Sequence, residues 1–270
     1  MWTSIEKGSD ILEMMAGYRV NYDAESTAWS YVSGDGVEGQ TIHRWDEGAA
    51  AHRFLAGAPS SRVAAMSNSS LTLSLANTTS LSGTSLFSVP CIVGRNDPEY
   101  GNVVNLQFCY ANARVNLAFK VTSAAQVQIT DIRLTPSSAY ATKAELQLNY
   151  DWTRRKVTVL TPVAQEQSSE PLTFPDVIVP ASNEGYVETS VPVYMIPDPA
   201  SKGQWTVSML FDGVYKEVAF TVSKAWQSGK SYTYRFEYND EANLVFQGTQ
   251  SEIFIGEDPV EWEGGEHNFG

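Results

Sequence analysis

Trp226-Gln-Ser-Gly229-Lys230-Ser-Tyr232-Thr-Tyr234-Arg-Phe236-Glu-Tyr238 decides the fold class of this chain. Its aromatic residues Tyr232, Tyr234, Phe236 and Tyr238 alternate with Ser231, Thr233, Arg235 and Glu237. Successive side chains of an extended strand point to opposite faces, so a period of two makes one face aromatic and the other polar. The stretch therefore reads as a half-buried antiparallel strand, with Tyr234 and Phe236 inward and Arg235 and Glu237 solvated. Ser228-Gly229-Lys230 supplies turn chemistry where that strand begins. Such a segment builds a sheet; it brings no catalytic groups together.

Similar short runs recur on both sides of it, among them Leu71–Leu75, Leu86–Val93, Val103–Tyr110, Ala113–Val121, Val127–Leu134, Trp205–Phe211 and Tyr215–Val222. Gly, Pro, Asn and Ser separate them, which is the pattern of sandwiches or barrels. Only Lys7–Gly17 offers a helical turn or two, and it reads equally well as strand. The expected fold is all-β. The runs outnumber the strands of one ordinary sandwich, so two sandwich domains are expected, residues 1–122 and 123–270, joined between about residues 115 and 150. One phase change is visible. Val104, Leu106, Phe108 and Tyr110 share one parity, whereas Ala113, Val115, Leu117, Phe119 and Val121 share the other. A bulge or tight bend at Ala111-Asn112 would restore the facing.

A net charge of −13 argues against nucleic acid as a partner, since phosphate contacts need clustered Lys and Arg. It equally disfavours adsorption to anionic lipid, and is accounted for as the charge that keeps a surface protein soluble. Cys91 and Cys109 flank the turn-rich segment Gly94-Arg-Asn-Asp-Pro98-Glu-Tyr-Gly101. A hairpin there would set them opposite one another for a bridge; otherwise they are two buried thiols. The sequence shows neither a secretory signal peptide nor a run long enough for a transmembrane helix. It opens at Met1-Trp2 in folded-looking sequence, as a trimmed product or a cytosolic protein would.

Candidate sites weigh little. Gly34-Asp35-Gly36-Val37-Glu38-Gly39 has the spacing of a dinucleotide-binding motif, but no helix follows and its acids would repel a pyrophosphate. It reads as a turn. His43, His52 and His267 lack metal-ligand spacing, although His43 and His52 would become neighbours if Thr41–Trp45 paired with His52–Ala58. No Gly-x-Ser-x-Gly elbow is present. Two distant carboxylates of a β-sandwich hydrolase would leave no local mark, so that class stays open. The acidic tail Glu257–Glu266 lacks calcium-loop spacing. Asn68-Ser-Ser70 and Asn77-Thr-Thr79 match glycosylation sequons, and without a eukaryotic context read as Ser/Thr-rich loop. No catalytic, cofactor-binding or metal-binding residue is assigned, and no cofactor is expected. Seven tryptophans raise a non-catalytic carbohydrate-binding surface as the alternative, with Trp29, Trp152 and Trp262 the candidates for exposure.

Several elements together resemble the fimbrillin family, the subunits of bacterial type V pili. Trp226–Tyr238 is similar to that family's late Trp-x-x-Gly-Lys-x-Tyr-x-Tyr strand. Val193-Tyr194-Met195-Ile196-Pro197 resembles its aromatic-apolar-Ile-Pro strand end. Leu106–Val115 resembles its Leu-x-Phe-x-His-Ala-Leu-Ala-Lys-Val element, with Tyr110 for His, Asn112 for Leu and Arg114 for Lys. Ile42–Trp45 and Arg53–Pro59 look like its Tyr-Trp and Arg-Phe-x-Ala-x-Ala-Pro pair. Trp2–Ile11 echoes its early Trp-x-x-Gly-Asp-x-Ile element, and Val260-Glu-Trp262 fits its closing strand.

The resemblance implies two transthyretin-like Greek-key β-sandwich domains in tandem and no enzyme. It implies a structural or adhesive pilus subunit at the cell outer membrane surface, with other pilus subunits as partners and host or bacterial surface ligands as candidate receptors. The family's leading strand and lipidated cysteine would precede Trp2, so contact with a membrane would come only through that missing segment. In strand donation, one subunit leaves a sheet groove open and a neighbour's extended segment fills it. Loss of a leading strand would open a groove in the first domain. The donor candidates are Ile253, Phe254, Ile255, Val260 and Trp262. A tail that instead closes the second sandwich as an internal strand is the competing reading.

Overall fold

The computed structural model describes residues 1–23, 28–31, 43–123, 125–181, 185–239, 243–253, 262–263 and 266–268. Among these, the regular structure is strand, apart from single 3-10 turns at Ser60–Arg62, Leu81–Gly83 and Pro199–Ser201. The chain is all-β, as its period-two runs require. Lys7–Gly17 is strand as well: Trp2–Lys7 and Asp10–Met15 form a hairpin that turns at Gly8, whose φ of 63° suits glycine.

Two hydrophobic cores form. The first is built on Ser70–Ala76 and Tyr140–Asp151, antiparallel neighbours whose register sets Leu71 against Leu148, Leu73 against Leu146 and Leu75 against Ala144. All six side chains are buried, while the intervening Thr72, Ser74, Glu145 and Gln147 face outward or halfway out. The alternation in sequence becomes one apolar sheet face. Two smaller sheets supply the rest of this core, with order Cys91–Gly94, Ala51–Leu55, Trp2–Lys7, Asp10–Met15 and order Phe108–Tyr110, Leu86–Ser88, Gly57–Ala58. Trp2, Leu55, Phe87 and Cys109 project from them into it.

The second core lies between two five-stranded sheets. In one, Ala113–Val121 is flanked by Lys230–Asn239 and then Asn243–Ile253 on one side, and by Val187–Glu188 and Val193–Met195 on the other. In the other, Val127–Pro136 is flanked by Gly203–Phe211 and then Val214–Val222, with Leu172–Phe174 and Val177–Val179 on its far side. Tyr232, Tyr234 and Phe236 are buried in this core, so the aromatic face of the deciding strand is as its period demands. Its polar face is less solvated than expected. Arg235 and Glu237 are half-buried, with the Arg235 guanidinium 5.1 Å from the Tyr186 ring centre and Glu237 3.9 Å from Lys120. A second departure concerns direction. Lys230–Asn239 is antiparallel to Asn243–Ile253 but runs parallel to Ala113–Val121, pairing from Arg114–Ser231 to Val121–Tyr238.

The cores are not sequential along the chain. Ala113–Val121 and Val127–Pro136 both line the second core, on either side of residues 122 and 123; Tyr140–Asp151 starts in it with Tyr140 and returns to the first core from Ala141 on. Two asparagines hold the crossings. Asn112, fully buried, accepts from Ser85 N–H at 3.1 Å and donates to the Ala76 carbonyl at 3.1 Å, and its own carbonyl accepts from Gly229 N–H. Asn77 donates to the Ala141 carbonyl and accepts from Ile196 N–H, both at 2.9 Å. Its amide is thus committed to internal bonds. The bend at Ala111-Asn112 predicted by the phase change is present, between Phe108–Tyr110 and Ala113–Val121. Val103–Gln107, however, is not strand, and in Phe108–Tyr110 it is Cys109 that is buried while its neighbours are half-exposed.

Both cysteines are free. The hairpin that would have faced them does not form, because Cys91 pairs with Phe54 while Cys109 pairs with Phe87 in a different sheet. Burial pushes the Cys109 thiol up to about 12 and raises Cys91 less far. A thiol reacts as its thiolate. Native protein is therefore expected to react with a disulfide reagent first at half-exposed Cys91, with Cys109 released only on unfolding. Absence of free thiol in unfolded, unreduced protein would contradict this.

Candidate assembly site

An assembly site on such a fold is a sheet edge, since an edge strand presents a row of unpaired N–H and C=O groups to any extended segment. Among the described residues, Asp10–Met15, Val214–Val222 and Asn243–Ile253 each have one sheet neighbour. Asp10–Met15 carries Ile11 and Leu12, both exposed, interleaved with Asp10 and Glu13. Val214 and Tyr215 are more than half exposed at the start of Val214–Val222. The edge Asn243–Ile253 is irregular: its register slips between Arg235 and Phe236 of its neighbour, near Gly248 with a φ of 139°. Phe246 still stacks on Phe220, ring centres 4.6 Å apart, and seals the core between these two edges.

Of the donor-strand candidates, Ile253 closes Asn243–Ile253 opposite Lys230. Residues from Ser251 to Ile253 thus belong to a strand inside this chain's own sheet. Trp262 belongs to a two-residue strand paired with Glu266–Asn268, which in turn pairs with Lys156–Thr158 at the edge of the first core's large sheet. Phe254, Ile255 and Val260 lie outside the described residues. No groove lies beside Trp2: Trp2–Lys7 has Ala51–Leu55 on one side and Asp10–Met15 on the other, so among the described residues the edge strands of that sheet are Cys91–Gly94 and Asp10–Met15.

Trp152 is buried, with the Arg53 guanidinium 5.4 Å from its ring centre and its Nε1 donating to the Asn68 carbonyl, so it offers no flat exposed ring for a sugar. Side chains of Trp29 and Trp262 lie outside the described residues, as does Gly34–Gly39. His43 and His52 both line one pocket, though residues 43–45 are not strand. Among the described residues no group of three or more His, Cys, Asp and Glu is placed to hold a metal ion. The strongest shifts of proton affinity fall on buried structural groups: desolvation drives Tyr150 and Tyr234 well upward and Tyr232 up to about 12. Tyr234 accepts from Trp226 Nε1 at 2.8 Å, and Trp226 N–H donates to Ser201 Oγ at 2.8 Å, so the tryptophan and tyrosines of the deciding stretch bond to one another and to the core. A signal for the sheet edges lay in the sequence, in the acids set among apolar residues at Asp10–Glu13.

No curated protein matches the chain. Among solved structures, a fimbrial protein from Bacteroides vulgatus ATCC 8482 is similar with a TM-score of 0.57 at 11% identity, covering 94% of this chain and 91% of that one. A candidate cell adhesion protein from Bacteroides uniformis ATCC 8492 is similar with a TM-score of 0.51 at 13% identity, again covering 94% and 91%. At such identities the likeness speaks for the shared fold. The sequence itself matches the family described as Fimbrillin-like from residue 2 to residue 252. With nearly its whole length inside that match, the chain belongs to the fimbrillin-like family.

Proposed function

We propose that this protein is a structural or adhesive subunit of a bacterial surface pilus, without catalytic activity. The family match across residues 2–252 carries the reading. The all-β fold with several strands bonded on one side only is consistent with it. No helix among the described residues is long and apolar enough to cross a membrane. Immunogold labelling of cells that produce the chain should place gold along or at the end of surface fibres. Label confined to the cell interior would sink the reading.

The mode of assembly follows as a proposal of its own: other subunits dock by adding a strand, and the donor is the tail beyond Ile253. The short pairing of Glu266–Asn268 with Lys156–Thr158 supports it, because the same ladder can be offered to a tail from another copy. Two truncations separate this from a purely internal role. Removing residues 254–270 leaves Asn243–Ile253 whole, and is expected to preserve the melting temperature while abolishing incorporation into fibres. Removing residues 249–270 also strips the rungs opposite Tyr234 to Lys230, and is expected to lower Tm by roughly 2–4 °C for each kcal/mol lost. Normal fibres from the shorter-tailed protein would end the donor proposal and leave the pilus reading intact.

A further inference from the structure

The sheet that carries Trp2–Lys7 turns Trp2 and Leu55 into the first core; its other face is covered by chain from outside the sheet. On that other face His52 stands between Ile5 and Val93 of the flanking strands and is about 2% exposed. Trp45 and Tyr100 close over it, with ring centres 4.7 Å and 5.6 Å from the imidazole, and Phe54 lies beside it on the same strand. Asp46 is the knot of this cover. Its N–H donates to His52 Nε2 at 3.2 Å, and its carbonyl accepts from the Tyr100 hydroxyl at 2.7 Å and from Ala49 N–H at 3.0 Å. Its carboxylate accepts from Gly48 N–H at 2.8 Å and pairs with Lys7 at 2.8 Å. The bond to His52 needs a lone pair on Nε2, so the ring is neutral and carries its proton on Nδ1.

A second proton reverses that contact. Nε2–H would face Asp46 N–H, donor against donor, and Nδ1 has no partner to begin with. A charged ring would then lie buried with neither nitrogen bonded, which is costly. The charged and titratable groups around it give no relief. The Asp46 carboxylate is committed to Lys7 and Gly48, and the Tyr100 hydroxyl to the Asp46 carbonyl. His43 and Arg44, with Val104, wall a small pocket over Thr3 that His52 also lines; Arg44 brings positive charge, as His43 does once protonated. Ile5 and Val93 are apolar. We propose that His52 is an acid-sensitive latch: on its protonation the segment from Trp45 to Ala50, with the Tyr100 ring, lifts from the sheet and bares Ile5 and Phe54. Burial holds the imidazole below its ordinary value of about 6.5, and the Asp46 carboxylate offsets only part of this. The closed form therefore takes up a proton less readily than the open one. Closure is fully favoured above about pH 6.5 and weakens as pH falls toward the lower value of the closed form. The hydrogen bond from Lys7, with that from Gly48, holds the Asp46 carboxyl below its usual range, so Asp46 keeps its charge while His52 titrates. The latch is independent of the pilus reading.

Hydrogen exchange of the full chain, followed amide by amide by NMR between about pH 4.5 and 7.5, tests the latch, since protection of an amide reports its local opening. With the intrinsic pH dependence of exchange divided out, protection of the Asp46 amide should fall about tenfold per pH unit between the open and closed values of His52, one proton being linked to opening. The amides of Phe119 and Phe236, in the second core, should show no such step. Nitrogen spectra of the His52 ring should show the Nδ1–H form at neutral pH and titration below about 6.5. His52→Gln offers an amide oxygen to Asp46 N–H and takes up no proton, so its Asp46 protection should stay flat. Flat Asp46 protection in the unaltered chain overturns the latch, as does the same fall in His52→Gln. Titration of His52 at or above its ordinary value overturns it too. A fall shared in full by Phe119 and Phe236 would be unfolding of the whole chain and likewise ends the proposal. Should His52→Gln fail to fold, the ring spectra and the Asp46 amide of the unaltered chain decide.

Discussion

Phe236→Ala is expected to destabilise the second core by about 3–5 kcal/mol, the usual cost of emptying a buried phenyl site. Phe236 is fully buried, and three rings surround it: Phe119 stacked at 5.7 Å, Phe220 edge-on at 5.4 Å and Phe246 tilted at 5.6 Å. Such a cluster cannot collapse onto the vacated space without moving two sheets, since rings come from both. The adjacent Glu237→Ala is the control. Its carboxylate is half-buried and 3.9 Å from Lys120, a long and partly hydrated pair, so its loss should change stability by less than about 0.5 kcal/mol. Urea melts followed by the fluorescence of Trp205 and Trp226, both in this core, would measure the two. Comparable losses from both changes would mean that the facing of the strand has been misassigned.

Trp2→Ala should cost the first core a similar amount, about 3–5 kcal/mol. Trp2 is about 1% exposed, packs in the cluster with Leu55 and Phe87, and donates from Nε1 to Glu13 Oε2 at 2.8 Å. The substitution removes the indole and leaves that carboxylate without its donor. Together the two alanine variants examine whether the cores act as separate domains. Separate domains would show two transitions, with Trp2→Ala lowering one and Phe236→Ala the other. A single transition moved by both would show one cooperative unit, in keeping with the asparagine-held crossings at Asn77 and Asn112.

Facing was legible in the sequence because it depends only on local alternation. Leu71, Leu73 and Leu75, and Tyr232, Tyr234 and Phe236, point inward for that reason alone. A bend does lie at Ala111-Asn112, but the parity change that pointed to it is not there: Cys109 is buried rather than Phe108 and Tyr110, so the buried positions keep one parity through Ala113 and Val115. Partnership was not legible. Period two states which side of a strand is apolar but not which strand lies beside it, so nothing local to Lys230–Asn239 announced a parallel neighbour at Ala113–Val121. The same limit explains the cysteines: Cys91 and Cys109 flank a turn, yet their strands pair elsewhere. Val103–Gln107 misled because Val104 and Leu106 alternate like a strand while lying outside any sheet, and Val104 instead walls the pocket over Thr3. The solvation of Arg235 was misread because a long side chain can lie flat on a neighbouring ring, here Tyr186, which is remote in sequence. As for assembly, the sequence pointed to the tail, and the structure adds that its first part, through Ile253, is already a rung-by-rung partner of Lys230–Asn239.

The parallel pairing of Ala113–Val121 with Lys230–Asn239 also sets an order in time. During synthesis Arg114 leaves the ribosome long before Ser231 exists, so Ala113–Val121 waits with one flank unpaired until most of the chain has been made. Parallel, long-range contacts of this kind form late and slowly, and a waiting edge is prone to wrong partners. Until Lys230–Asn239 has been made, the second core lacks Tyr232, Tyr234 and Phe236, and Phe119 lacks the ring that stacks on it.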